Sequence, residues 1–110
     1  MSNEMSVLKR NQGDTDMWAF KVYVAGAAPN SLRAIANLYA ILRQFLPDNH
    51  SIEIIDILED PLAALRDGIL VTPTVVKLSP PPQRKLLGNL DDREKVLLAL
   101  GLDADRGNFP

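Results

Sequence analysis

Asp56, Glu59 and Asp60 lie within the stretch IDILEDP, and closely spaced carboxylates are the minimum equipment for acid–base work. A catalytic pair needs a second polar constellation beside it, and this chain offers none, so capping and turn duties account for the three acids. His50 is the only histidine. It follows an Asp-Asn turn without ligand neighbours, which reads as a solvated loop residue rather than a metal ligand. There is no cysteine, which excludes a disulfide scaffold, a thiolate metal site and dithiol redox chemistry, and fits a reducing compartment. No glycine-rich phosphate loop occurs. The remaining chemistry is cationic. Arg33, Lys77, Arg84 and Lys85 fall on predicted outer surfaces, where they would face an acidic patch on a partner and supply steering and register.

The chain has 110 residues, the size of one domain with one core. A hydrophobic share of 46% with 24% charged residues is an ordinary soluble composition. Net charge is −2 and the isoelectric point about 5.2, which argues against a general nucleic-acid footprint. The polar N-terminus lacks the apolar core of a secretory signal, and no apolar run approaches the ~18 residues that span a bilayer. These features predict a cytoplasmic protein with no membrane partner.

Residues 1–17 read as a flexible leader and 103–110 as a tail, leaving 18–102 as the folded domain. WAFKVYVA, residues 18–25, alternates as a first strand. Pro29, Asn30 and Ser31 then open a helix, with proline at its first position and Asn or Ser as the cap. Leu32, Ile35, Tyr39, Leu42 and Leu46 recur at steps of three and four, widened by Leu38, Ile41 and Phe45. Pro47-Asp48-Asn49 stops this helix. SIEIIDIL, residues 51–58, is isoleucine-rich and predicts an interior strand covered on both faces, parallel to the first.

Asp60 caps a shorter helix that starts at Pro61 and ends near Asp67, with Gly68 as terminator. Residues 74–79 and 83–87 are two further strands, too close for a parallel crossover and therefore an antiparallel hairpin. Asp91 or Asp92 caps a last helix bearing Val96, Leu97 and Leu100, closed by Gly101. The order β-α-β-α-β-β-α is an α/β arrangement with three layers and a mixed sheet.

That layout, with IDILEDP followed by GILVTPT, resembles the thioredoxins, and the match implies that Pro73 is a cis-proline. A fuller resemblance is to the KaiB family of circadian-clock proteins, from Lys21 to about Leu102. It rests on KVYVAGAAPNSLRA, IEIIDILEDP, ILVTPTVVKLSPPPQRKLLGNL and DREKVLLAL. The KaiB resemblance implies two accessible folds: a resting fold, typically oligomeric, and a thioredoxin-like monomer that binds the KaiC ATPase ring. The first β-α-β would be common to both, while everything from about Glu59 onward rearranges. Pro73, Pro80, Pro81 and Pro82 would then punctuate the segment that changes its partners.

By the same resemblance, Arg33 and Lys77 are partner-facing. Glu53, Glu59 and Gly68 stand where clock-type relatives tend to carry lysines, which would weaken or redirect a ring contact. Ala99 replaces a family glycine inside the last helix, where alanine is better by about 0.8–1.0 kcal/mol. With Gly101 as a clean stop, this favours the thioredoxin-like fold over the resting KaiB fold. Gly26 to Asn30 occupies the place of the thioredoxin CxxC, but with Ala27 and Asn30 near the cysteine positions no thiolate is available to attack a disulfide.

The resemblance therefore implies a non-enzymatic adaptor, without cofactor or metal, for a KaiC-like ATPase in clock or stress signalling. A sensor histidine kinase is a second partner class, and a homodimer or homotetramer is a further association. The alternative is a thioredoxin-like interaction domain, akin to the input domain of clock-linked histidine kinases, that never switches fold.

Overall fold

The computed structural model describes residues 17–102. The proposed leader, apart from Met17, and the tail at 103–110 lie outside the described residues. Strand β1 spans Trp18–Val24 and pairs in parallel with β2, His50–Asp56. On its other side β1 pairs antiparallel with β3, Thr74–Ser79, and β3 pairs antiparallel with β4, Arg84–Leu87. The sheet order is β2-β1-β3-β4. The β3–β4 pair is the expected hairpin, one residue shorter at the start of its second strand.

Helix α1 covers Pro29–Phe45, α2 Pro61–Asp67 and α3 Arg93–Leu100. One core joins Phe20, Val22 and Val24 of β1 with Val75 of β3, the inner faces of α1 and α3, and Leu90 and Leu102. Side chains alternate across a strand, so Tyr23 points to the opposite face, where α2 lies. The three layers are thus α1 and α3, the mixed sheet, and α2.

Local chemistry explains most element boundaries. The Asp60 carboxylate accepts from the Ala63 N–H at 3.3 Å, and Asp92 accepts from the Lys95 N–H at 3.2 Å. Each satisfies an orphan donor of a helix start, and Asp92, not Asp91, is the cap of α3. Gly68 and Gly101 close α2 and α3 at φ of 68° and 81°, the left-handed region that glycine enters without steric cost.

Three expectations need correction. First, β2 is an edge strand. The isoleucine-rich run reads as doubly covered, but β3 inserts on the far side of β1, so among the described residues β2 has one strand neighbour, and Ile54 is 45% exposed. Second, Leu32 is 53% exposed, and the buried stripe of α1 instead runs through Ser31, Ala34, Leu38, Ile41 and Leu42. The small residues let the first turn approach the sheet, and the Ser31 hydroxyl accepts from the Ala25 N–H at 3.4 Å. Third, Ala28 occupies the N-cap of α1 without a side-chain cap, so Asn30 and Ser31 lie inside the helix.

Candidate partner-binding surface

The acidic cluster proves architectural. Asp56 Oδ1 accepts from the Gly26 N–H and from the Leu58 N–H, both at 2.9 Å. It thereby pins the turn after β1 to the end of β2. Gly26 has φ of 58°, and an added Cβ would come within 3.2 Å of Leu58 Cδ1. Asp60 is occupied as a cap, while Glu59 is exposed. His50 is no loop residue: it begins β2, and its Nδ1–H donates to the Leu46 carbonyl at the end of α1, 2.6 Å away. Among the described residues, no group of three or more His, Cys, Asp or Glu could hold a metal ion.

The four cationic residues do not share one patch. Arg33 projects from the outer side of α1, 3.9 Å from Asp91 Oδ2. Asn37 supports the same corner, donating to Asp91 Oδ1 at 2.9 Å and to the Asn89 carbonyl at 2.8 Å. Arg84 is exposed on β4, opposite Lys77 in the register with β3. Lys85 points to the other face of the sheet, where its Nζ donates to the Gly68 carbonyl at 3.5 Å.

Lys77 is the correction. It is buried rather than on an outer surface, because its register partner is Phe20 on the core-facing side of β1. Its Nζ lies 5.0 Å from the centre of the Trp18 ring, so the stem packs on the core while the ammonium meets a π-face. Burial, and secondarily Arg84, hold the Lys77 pKa below its ordinary value.

The Thr72–Pro73 bond is cis, and Pro73 is buried at the entry to β3. The Ser79–Pro80 and Pro81–Pro82 bonds in the hairpin connection are also cis, and Pro81 and Pro82 are exposed. Ala99 is half-buried in α3. Two features lie outside the sequence-based expectations. One is a bond from the buried Tyr23 hydroxyl to Asp67; the other is the outward aim of Leu62 and Leu65 on α2. For the second, a signal existed: PLAALRD is apolar on more than one side.

Against known families, residues 21–102 match the KaiB domain model, a span that runs from within β1 to the end of α3. The chain belongs to the KaiB family. The circadian clock oscillator protein KaiB of Cyanothece sp. is 46% identical over 98 residues, covering 89% of this chain and 88% of that protein. Among solved structures, chloroplastic thioredoxin z aligns with a TM-score of 0.66 at 17% identity, over 90% of this chain and 89% of its own. The N-terminal domain of Synechococcus elongatus SasA aligns with a TM-score of 0.64 at 21% identity, over 78% of this chain and 85% of its own. These likenesses show the fold, thioredoxin-like, in a KaiB-family chain. No helix among the described residues is long and apolar enough to cross a membrane.

Proposed function

We propose that this KaiB-family protein is a non-enzymatic adaptor that binds a KaiC-type hexameric ATPase and modulates circadian or stress-response signalling. The observation that carries the reading is the KaiB match across residues 21–102. The thioredoxin-like arrangement supports it, because that is the state in which the family resemblance implies ring binding. Arg33 and Arg84, both exposed, are the partner-facing cations, with Lys85 on the opposite face of the sheet. The protein needs no cofactor or metal, works in the cytoplasm, and has neither nucleic acid nor membrane as a partner.

Capture of the host's KaiC-like ATPase by the tagged full chain, with ATP, with ADP and without nucleotide, tests the proposal. Nucleotide-dependent capture is expected, and absence of binding in every condition removes it. An insulin-reduction assay should be silent, because no thiolate is present at the strand-to-helix junction Gly26–Asn30.

A second reading keeps the fold fixed: a thioredoxin-like interaction domain without fold switching, akin to the input domain of clock-linked histidine kinases. The likeness in fold to the SasA N-terminal domain favours it. Size-exclusion and NMR measurements over a wide concentration range separate the two readings. A second, slowly exchanging oligomeric fold belongs to the adaptor alone.

A further inference from the structure

Among the described residues, β2 and β4 are the two edges of the sheet, and they differ in kind. β4 has four residues, carries Arg84 and Lys85, and lies between the proline run and Gly88, features that discourage edge pairing. β2 has seven residues, with neither proline nor lysine, in an unbroken register with β1. The Asn49 carbonyl accepts from the Trp18 N–H at 2.7 Å, and the Ile57 N–H donates to the Val24 carbonyl at 2.8 Å. The odd-numbered residues of β2 thus turn their backbone groups to β1, and His50, Ile52 and Ile54 turn theirs outward, where no described strand meets them. Ile54 is exposed at this edge, and so is Leu32 of α1. α3 lies beside β4, so the flank of α1 that aims Arg33 and Asn37 at Asp91 faces away from β2, and Leu32 lies on the flank towards it. A row of outward donors and acceptors beside two exposed aliphatic side chains is a template for one more strand.

The same chain carries a matching segment, SVLKR, at residues 6–10. We infer that Ser6–Arg10 pairs antiparallel with β2, Leu8 opposite Ile54, as a fifth strand that closes this edge. In that register Leu8 falls on the α1 side with Ile54 and Leu32, while Val7 meets Ile55 and Lys9 meets Glu53 on the other face. Glu53 has Lys21 as its neighbour on the β1 side, so Lys9 supplies the second flanking cation. Arg10 falls opposite Ile52, between Asp56 and the turn that holds Asp48, with Arg43 of α1 on the same flank. A slip of one residue in one direction sets Leu8 against Glu53, and in the other sets Lys9 against Ile54, so side-chain chemistry selects the register. The connection reaches: residues 13–17 extend to about 16 Å, against about 10 Å for the two strand spacings between a fifth strand and β1. A second copy is the weaker occupant. Pairing Ile52 with the partner's Ile54 would set Glu53 against its own kind, and a tethered segment avoids the entropy cost of association. The closure does not rest on the ATPase-binding reading and is measured on the isolated protein.

NMR on the isotope-labelled full chain tests it. Close Hα–Hα contacts are expected between Lys9 and Glu53 and between Val7 and Ile55, with slow hydrogen exchange at the Ile52 and Ile54 amides. Leu8→Pro removes a ladder donor and should speed exchange at Ile52 and Ile54 by about tenfold or more, while the Val22 amide in β1 keeps its protection. Lys9→Glu should also speed exchange at both amides, and Lys9→Glu combined with Glu53→Lys should restore most of the protection. Absence of the two Hα–Hα contacts, or exchange at Ile52 and Ile54 that Leu8→Pro leaves unchanged, overturns the proposal. So do contacts between β2 strands of differently labelled copies in a mixed sample, which would assign the edge to a second copy.

Discussion

The Tyr23 hydroxyl donates to Asp67 Oδ2 at 2.5 Å, tying the second-to-last residue of the central strand β1 to the last residue of α2. The two lie 44 positions apart, and the bond fixes α2 on that face of the sheet. Burial first, and then the carboxylate, raise the Tyr23 pKa well above its ordinary value of 10.0. The same bond holds Asp67 below its ordinary 3.8. The depressed acid contributes stability above pH 3.8 that is lost as pH falls through its folded pKa. The raised phenol contributes stability below pH 10.0 that is lost as pH rises above it. Tyr23→Phe should therefore lower the urea midpoint at neutral pH. Its deficit against wild type should shrink both towards about pH 3 and above about pH 10. A deficit that stays constant across the pH range would refute the coupling.

Lys77 supplies the opposite sign. Its folded pKa is below 10.5, so between that folded value and 10.5 the unfolded chain binds more protons. The native state should gain stability as pH rises through this window. Lys77→Met keeps an unbranched stem on Trp18 and removes the buried charge opposite Arg84. It should leave neutral-pH stability within about 1 kcal/mol of wild type, because loss of the cation–π contact offsets relief of desolvation. The alkaline gain should disappear. Lys77→Ala should be clearly worse than Lys77→Met, because it strips the stem as well. Chemical denaturation of the three proteins at neutral and alkaline pH reads both outcomes.

Gly68 is where clock-type relatives are expected to carry lysine, yet here it closes α2 at φ of 68°. An added Cβ meets nothing nearer than Lys85 Nζ at 3.8 Å, so the cost of a side chain is conformational rather than a clash. Gly68→Ala should cost about 1 kcal/mol. Gly68→Lys should cost somewhat more at low salt and converge on Gly68→Ala as salt is added, since the extra term is repulsion from Lys85. Thermal melts at two ionic strengths decide this.

The caps make a paired comparison. Asp60→Ala and Asp92→Ala should each destabilise by about 1 kcal/mol. Asp91→Ala removes only the exposed contacts to Arg33 and Asn37 and should stay within about 0.5 kcal/mol. An Asp91→Ala loss equal to that of Asp92→Ala would mean that the loop, not the cap, starts α3.

Much of this molecule was legible in its residues. Alternation in β1, the Asp60-Pro61 start of α2, the glycine stops at 68 and 101 and the short spacing of the β3–β4 hairpin are local signals, each tied to a backbone rule a few residues wide. Together they determined the element order, and the motifs from KVYVAG to REKVL determined the family. Absence of cysteine determined that no thiol chemistry resides in this chain. What tertiary structure decided is everything that depends on which side of a strand its neighbour takes. Insertion of β3 beside β1 made β2 an edge and turned Lys77 from a surface cation into a buried one against Trp18. Likewise, Tyr23 found Asp67, and Leu62 and Leu65 were left outward, because among the described residues that face of the sheet carries one short helix. Residue type sets what a side chain is able to do; the register and the layer it falls in set whether it meets solvent, a partner or the core.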